Sequence, residues 1–140
     1  MDSASGWFDQ GAGDFRSIHK YVGPAMPRLE QWRAAALTEF GGLGFAFQGH
    51  TWLTPKAFAY RMVKDKAALT EAYVRLMTKL EQLIKKGLTT VIYTELTDVE
   101  YEVNGYLTYD RAEWKVDVDT VKVCHQRLIK AGAGDLPDGI

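Results

Sequence analysis

The stretch that most constrains this chain runs from Asp65 to Gly87. Leu69, Ala72, Tyr73, Leu76, Met77, Leu80, Leu83 and Ile84 recur at i, i+3, i+4 and i+7. That spacing predicts an amphipathic helix of about five turns with one apolar face. Asp65 suits its N-cap, Lys85 and Lys86 suit the negative end of its dipole, and Gly87 suits its terminating turn. A helix of this kind needs a surface to cover. Ala34 to Leu37, upstream, is a short apolar run of strand length that ends at the carboxylate Glu39. Downstream, Leu88 to Thr94 (LTTVIYT) is β-branched and aromatic, as a buried strand would be. Helix, glycine, strand is the return half of a βαβ unit, so the expected class is α/β with parallel strands.

Chemistry in such folds gathers where strands end. Glu39 is followed at once by Phe40, Gly41 and Gly42, and that turn leaves the carboxylate at the rim or simply solvated. Phe15 to Tyr21 (FRSIHKY) reads as a further short strand, stopped by Pro24 and Pro27. His19 and Tyr21 lie two apart, so they share one side of that strand. They are either buried and satisfied or a polar pair at the mouth of a site. Residues 1 to 14 read as a glycine-rich loop in which Trp7 is an anchor onto the domain or a platform for a ligand. Residues 41 to 64 read as one long aromatic-rich loop containing His50-Thr51-Trp52.

Acidic residues follow the LTTVIYT strand: Glu95, Asp98, Glu100 and Glu102, interleaved with Val99, Tyr101 and Val103. No His or Cys joins them and the spacing is not that of an EF-hand, so no metal is assigned. A last helix is expected over about 116 to 130, with a frayed tail beyond. The 140 residues have the size of one domain, and Cys124 is the only cysteine, so no intrachain disulfide forms. A formal charge of −1 gives no reason to expect nucleic acid or an anionic membrane as partner. No apolar run approaches the roughly 18 residues of a membrane span.

Three separated stretches form a larger pattern. They are Ala4-Ser-Gly-Trp7 through Gly13-Asp14 to His19-Lys-Tyr-Val-Gly-Pro24; Thr38-Glu-Phe-Gly-Gly-Leu-Gly44 with Gly49-His-Thr-Trp52; and Tyr93-Thr-Glu-Leu-Thr-Asp98 through Asn104-Gly105 to Thr108-Tyr-Asp-Arg111. In this order they resemble the C-terminal part of the catalytic barrel of glycoside hydrolase family 2, the β-galactosidase and β-glucuronidase group. The resemblance covers Ala4 to about Leu128.

It implies a partial (β/α)8 TIM barrel over residues 1–131, with a flexible tail at 132–140. Phe15–Tyr21, Ala34–Glu39 and Thr90–Glu95 would be strands six to eight, each with its helix. It implies a retaining β-glycosidase in which Glu39 is the nucleophile. His19, Tyr21, Trp52, Tyr93, Glu95, Asp98 and Glu100 would border the carbohydrate substrate, with no cofactor. The family's general acid is a Glu after an Asn, and no Asn-Glu pair occurs in the sequence. The chain is therefore expected to be a fragment, inactive alone, whose partner is the missing N-terminal barrel segment or another chain. The family commonly has Gln where Glu95 stands and Pro where Val22 stands. A carboxylate at 95 would repel Glu39 and raise one of the two pKa values. Two other readings remain: a non-catalytic carbohydrate-binding or interaction module, and a degenerate truncated product.

Overall fold

The computed structural model describes residues 1–52 and 54–133. Most of the tail expected at 132–140 lies outside those residues. Five strands and two helices follow one another in the order β1 (Phe15–Tyr21), β2 (Ala34–Gly41), β3 (Leu43–Gly44), β4 (Arg61–Met62), α1 (Lys66–Ile84), β5 (Leu88–Tyr93) and α2 (Val118–Ala133). β1, β2 and β5 form a parallel sheet with β2 in the centre, and β3 and β4 pair in parallel as a separate sheet of two.

Local chemistry explains each element. Asp65 adopts extended backbone and its carboxylate accepts the Ala68 N–H at 2.8 Å, which caps α1. Leu69, Ala72, Tyr73, Leu76, Met77 and Leu80 on α1 are buried, in one cluster with Ala35, Leu37, Phe40 and Leu88 of the sheet. Gly87, at φ 109°, turns the chain out of α1 into β5, a conformation that favours glycine. Asp117 caps α2 through a 2.8 Å bond from the Thr120 N–H. Val121 and Cys124 then turn inward, and Arg127 reaches Glu81 of α1 at 2.6 Å.

This is not a partial (β/α)8 barrel. The described residues hold two helices over small sheets of three and two strands. Barrel strands each have two hydrogen-bonded neighbours and a helical crossover. Here β1 and β5 each have one neighbour, so the sheet is open. Residues 22–33, between β1 and β2, carry no helix, because Pro24 and Pro27 interrupt them. That segment is held instead by ion pairs, with Glu30 accepting from Arg16 and Arg33, both at 2.7 Å. The segment expected as one long loop, 41–64, is also subdivided by β3, β4 and a 3-10 turn at Thr54–Lys56. Two-residue strands are too short to show any periodicity.

Candidate active site

The register of the sheet sets the geometry. Ile18 pairs with Leu37, but His19 pairs with Glu39, so Thr38 is an extra residue on β2. The same bulge appears against β5, where Leu37 pairs with Val91 and Phe40 with Tyr93. A bulge re-aims the side chains beside it. Without it His19 would lie opposite Thr38. With it, the imidazole and the carboxylate come level, and His19 Nδ1 is 3.2 Å from Glu39 Oε2.

Glu39 has one hydrogen-bonded oxygen and one that faces the imidazole. Thr94, just beyond β5, donates its hydroxyl to Glu39 Oε1 at 2.8 Å. Tyr21 lies beside the same carboxylate; burial first, and then the nearby Glu39, hold its phenol above the usual range. The Tyr21 ring stacks on Tyr60 with centroids 3.9 Å apart. Gly42, at φ 72°, is needed beneath that stack, since a Cβ there would lie 2.8 Å from the Tyr60 ring. His19 is flanked by Ser5, whose Oγ lies 3.2 Å from Nε2, and by the edge of Trp7 at 5.8 Å between centroids. Trp7 itself is two-thirds exposed.

Glu95, next to Thr94, has its pKa pushed up to about 8. Burial is the main cause, Glu102 and Asp98 come next, Lys115 opposes them, and Glu39 contributes least. The expected repulsion between Glu39 and Glu95 is therefore the smallest influence on this group. Its Oε2 is buried without a hydrogen-bond partner, which suits a protonated carboxyl better than a charged one.

The other expected site residues lie elsewhere. Asp98 is buried and grips Lys115, whose Nζ donates to both carboxylate oxygens at 2.7 Å and to the Val103 carbonyl at 2.8 Å. Burial pushes the Asp98 carboxyl up and the Lys115 ammonium down, while their mutual contact opposes both shifts. This pair builds the loop and is closed to a ligand. Tyr93 stacks on Tyr106 at 4.4 Å and meets Phe40 edge-on, on the side of the sheet covered by the helices. Trp52 is exposed and meets Tyr109, near the 2.7 Å contact between His50 and Asp110. Glu100 stands exposed in a tight turn at φ 52°. Of the expected set, His19, Tyr21 and Glu39 converge, with Glu95 beside them.

Sequence reasoning missed Ser5, Thr94, Tyr60 and Lys115. Thr94 alone had a visible signal, as the polar residue closing a β-branched strand. Among the described residues no group of three or more His, Cys, Asp or Glu is placed to hold a metal ion, and no helix is long and apolar enough to cross a membrane. A scan against models of protein families finds no match to this chain, and a search of curated proteins finds none either.

Proposed function

We propose that this chain carries the nucleophile half of a retaining β-glycosidase, with Glu39 forming the covalent bond to the anomeric carbon. The observation that carries this reading is the gathering of Thr94, His19 and Tyr21 around one carboxylate at the end of a central parallel strand, with Thr94 hydrogen-bonded to it. The Thr94 hydroxyl on one oxygen and the imidazole 3.2 Å from the other limit the rotamers open to the carboxylate and hold it in position for attack. The raised pKa of Glu95 supports the same reading, because at neutral pH its neighbour is mainly neutral and does not compete as a second anion. Tyr21 and Tyr60 offer an aromatic stack to the apolar face of a sugar ring.

An unactivated glycoside also needs a general acid, worth about 10²–10⁴-fold. Glu95 sits on the same side as Glu39, two residues past the end of the neighbouring strand, not across a glycosidic bond from it, and the sequence contains no Asn-Glu pair. The test therefore uses a leaving group that departs without acid help. Incubation with a dinitrophenyl 2-deoxy-2-fluoro-β-galactoside is expected to add one fluorosugar, mapped by peptide mass to Glu39. Dinitrophenol release should stop at one equivalent. No adduct, or an adduct on another residue, refutes the assignment. Calorimetric binding of a β-galactoside without any adduct would favour the alternative of a non-catalytic sugar-binding module.

A further inference from the structure

The N-terminal loop crosses the face of the sheet opposite the helices, and several bonds fix it there. Ser3 donates to the Ala12 carbonyl at 2.8 Å, and Ser17 of β1 donates to the Ala4 carbonyl at 3.2 Å. Asp9 receives Arg33, whose Nη2 reaches it at 2.8 Å. This delivers Ser5 to His19. Ser5 Oγ is 3.2 Å from His19 Nε2, and His19 Nδ1 is 3.2 Å from Glu39 Oε2. Hydroxyl, imidazole and carboxylate thus stand in series through opposite ring nitrogens, the arrangement by which a histidine activates a serine.

The next residue, Gly6, has φ 95°, and a Cβ on it would lie 2.6 Å from the imidazole ring. Only glycine lets the turn bring Ser5 this close. Beside Ser5 runs a groove of about 340 Å³, lined by Asp2, Ser5, Phe15, Ala36, Thr38, Thr90 and Ile92. Its walls are mainly apolar and its volume suits a small ligand.

We infer that Ser5, His19 and Glu39 form an acyl-transfer triad that cleaves small aryl esters, with the acyl group seated in the groove over Ala36 and Ile92. A small turn of the imidazole closes the 3.2 Å approach of Nδ1 to Glu39 into a hydrogen bond, which keeps the proton on Nδ1 and frees the Nε2 lone pair. Ser5 Oγ, now donating to Thr38 Oγ1 at 2.8 Å, turns its proton to Nε2 and attacks the ester carbonyl carbon. Thr38 then has its own hydroxyl proton beside the reacting centre. The tetrahedral adduct collapses, the bond to the phenol oxygen breaks, and the phenol leaves with the proton from Nε2. Water, deprotonated at Nε2, hydrolyses the acyl-serine and restores the hydroxyl.

This activity is separate from the glycosidase proposal, since its nucleophile is Ser5 rather than Glu39. The test is a fluorophosphonate probe on the full chain, with p-nitrophenyl butyrate turnover measured alongside. One phosphonyl adduct is expected, mapped by peptide mass to Ser5. Ser5→Ala should abolish it. His19→Ala should slow labelling and turnover by at least about 100-fold, with circular dichroism unchanged. Glu39→Gln, which no longer fixes the Nδ1–H tautomer, should slow them by a similar factor. An unlabelled wild-type protein, a label on any other residue, or labelling of Ser5 that survives His19→Ala undiminished overturns the proposal.

Discussion

Replacing Lys115 with methionine removes the cation from the most deeply buried ion pair in the described residues. Its side chain is 0% exposed and that of Asp98 2%. The substitution keeps the volume and the straight apolar stem, but it removes the ammonium that lies 5.4 Å from the centroid of the Phe45 ring. The largest change falls on Asp98. It loses contacts at 2.7 Å on both oxygens and keeps only the Gly105 N–H at 2.9 Å. The Val103 carbonyl loses its donor as well. Breaking a buried pair from one side costs about 3–5 kcal/mol. Domains of this size have a total stability of about 5–15 kcal/mol, so Lys115→Met should lower Tm by roughly 10–20 °C. Thermal and urea melts followed by circular dichroism read this directly. The double variant Asp98→Leu/Lys115→Met leaves no orphaned charge and should recover most of the loss, since an apolar replacement of a whole pair is often neutral. A single variant within about 3 °C of the native protein refutes the reasoning. So does a double variant no more stable than the single one.

Two further outcomes follow from the same geometry. Glu95→Gln should flatten the dependence of stability on pH. The folded chain keeps a proton up to about pH 8 that the unfolded chain loses near 4.5, so native stability falls as pH rises through that window and levels off above it. The variant should therefore gain on the native protein steadily from pH 5 to 8, and melting curves that stay parallel would contradict this. Gly44→Ala places a Cβ 1.7 Å from the Val103 carbonyl oxygen, a backbone atom that cannot swing away. It should cost about 3 kcal/mol in urea melts, and a loss below about 1 kcal/mol would show that the β3 region yields more easily than its packing implies.

What was legible in the sequence was local. The stripe from Leu69 to Ile84 and the cap at Asp65 specify α1, and the run from Ala34 specifies β2, because both patterns repeat within a few residues. The convergence of His19, Tyr21 and Glu39 was also within reach, as polar groups at the ends of adjacent apolar strands. The bulge at Thr38 was not. It breaks the alternation on which strand faces are counted, and nothing in Leu-Thr-Glu-Phe announces it. The same interruption puts Phe40 level with Tyr93, whose ring joins the aromatic packing with Tyr73 and Tyr106 on the helix side. The Asp98–Lys115 pair joins residues 17 apart in an irregular loop, where no period exists to reveal a partner. The expectation of a partial (β/α)8 barrel, with a helix for each strand, failed for a different reason. Motif order speaks to which residues sit at strand ends, and it is silent on what connects one strand to the next.

The central place of β2 has a consequence for how the chain is made. β2 is bonded to β1, which precedes it closely, and to β5, which follows only after residues 42–87. A ribosome adding roughly 5–20 residues per second takes several seconds to synthesise that stretch. During that interval the Ala-Ala-Ala-Leu run of β2 has emerged with one edge unpaired and without the helix that will cover Leu37. The uncovered run and its free strand edge are then open to a chaperone or an unwanted neighbouring strand. Substitutions that slow the formation of α1 should lengthen this exposure and lower soluble yield, even where the finished protein is no less stable.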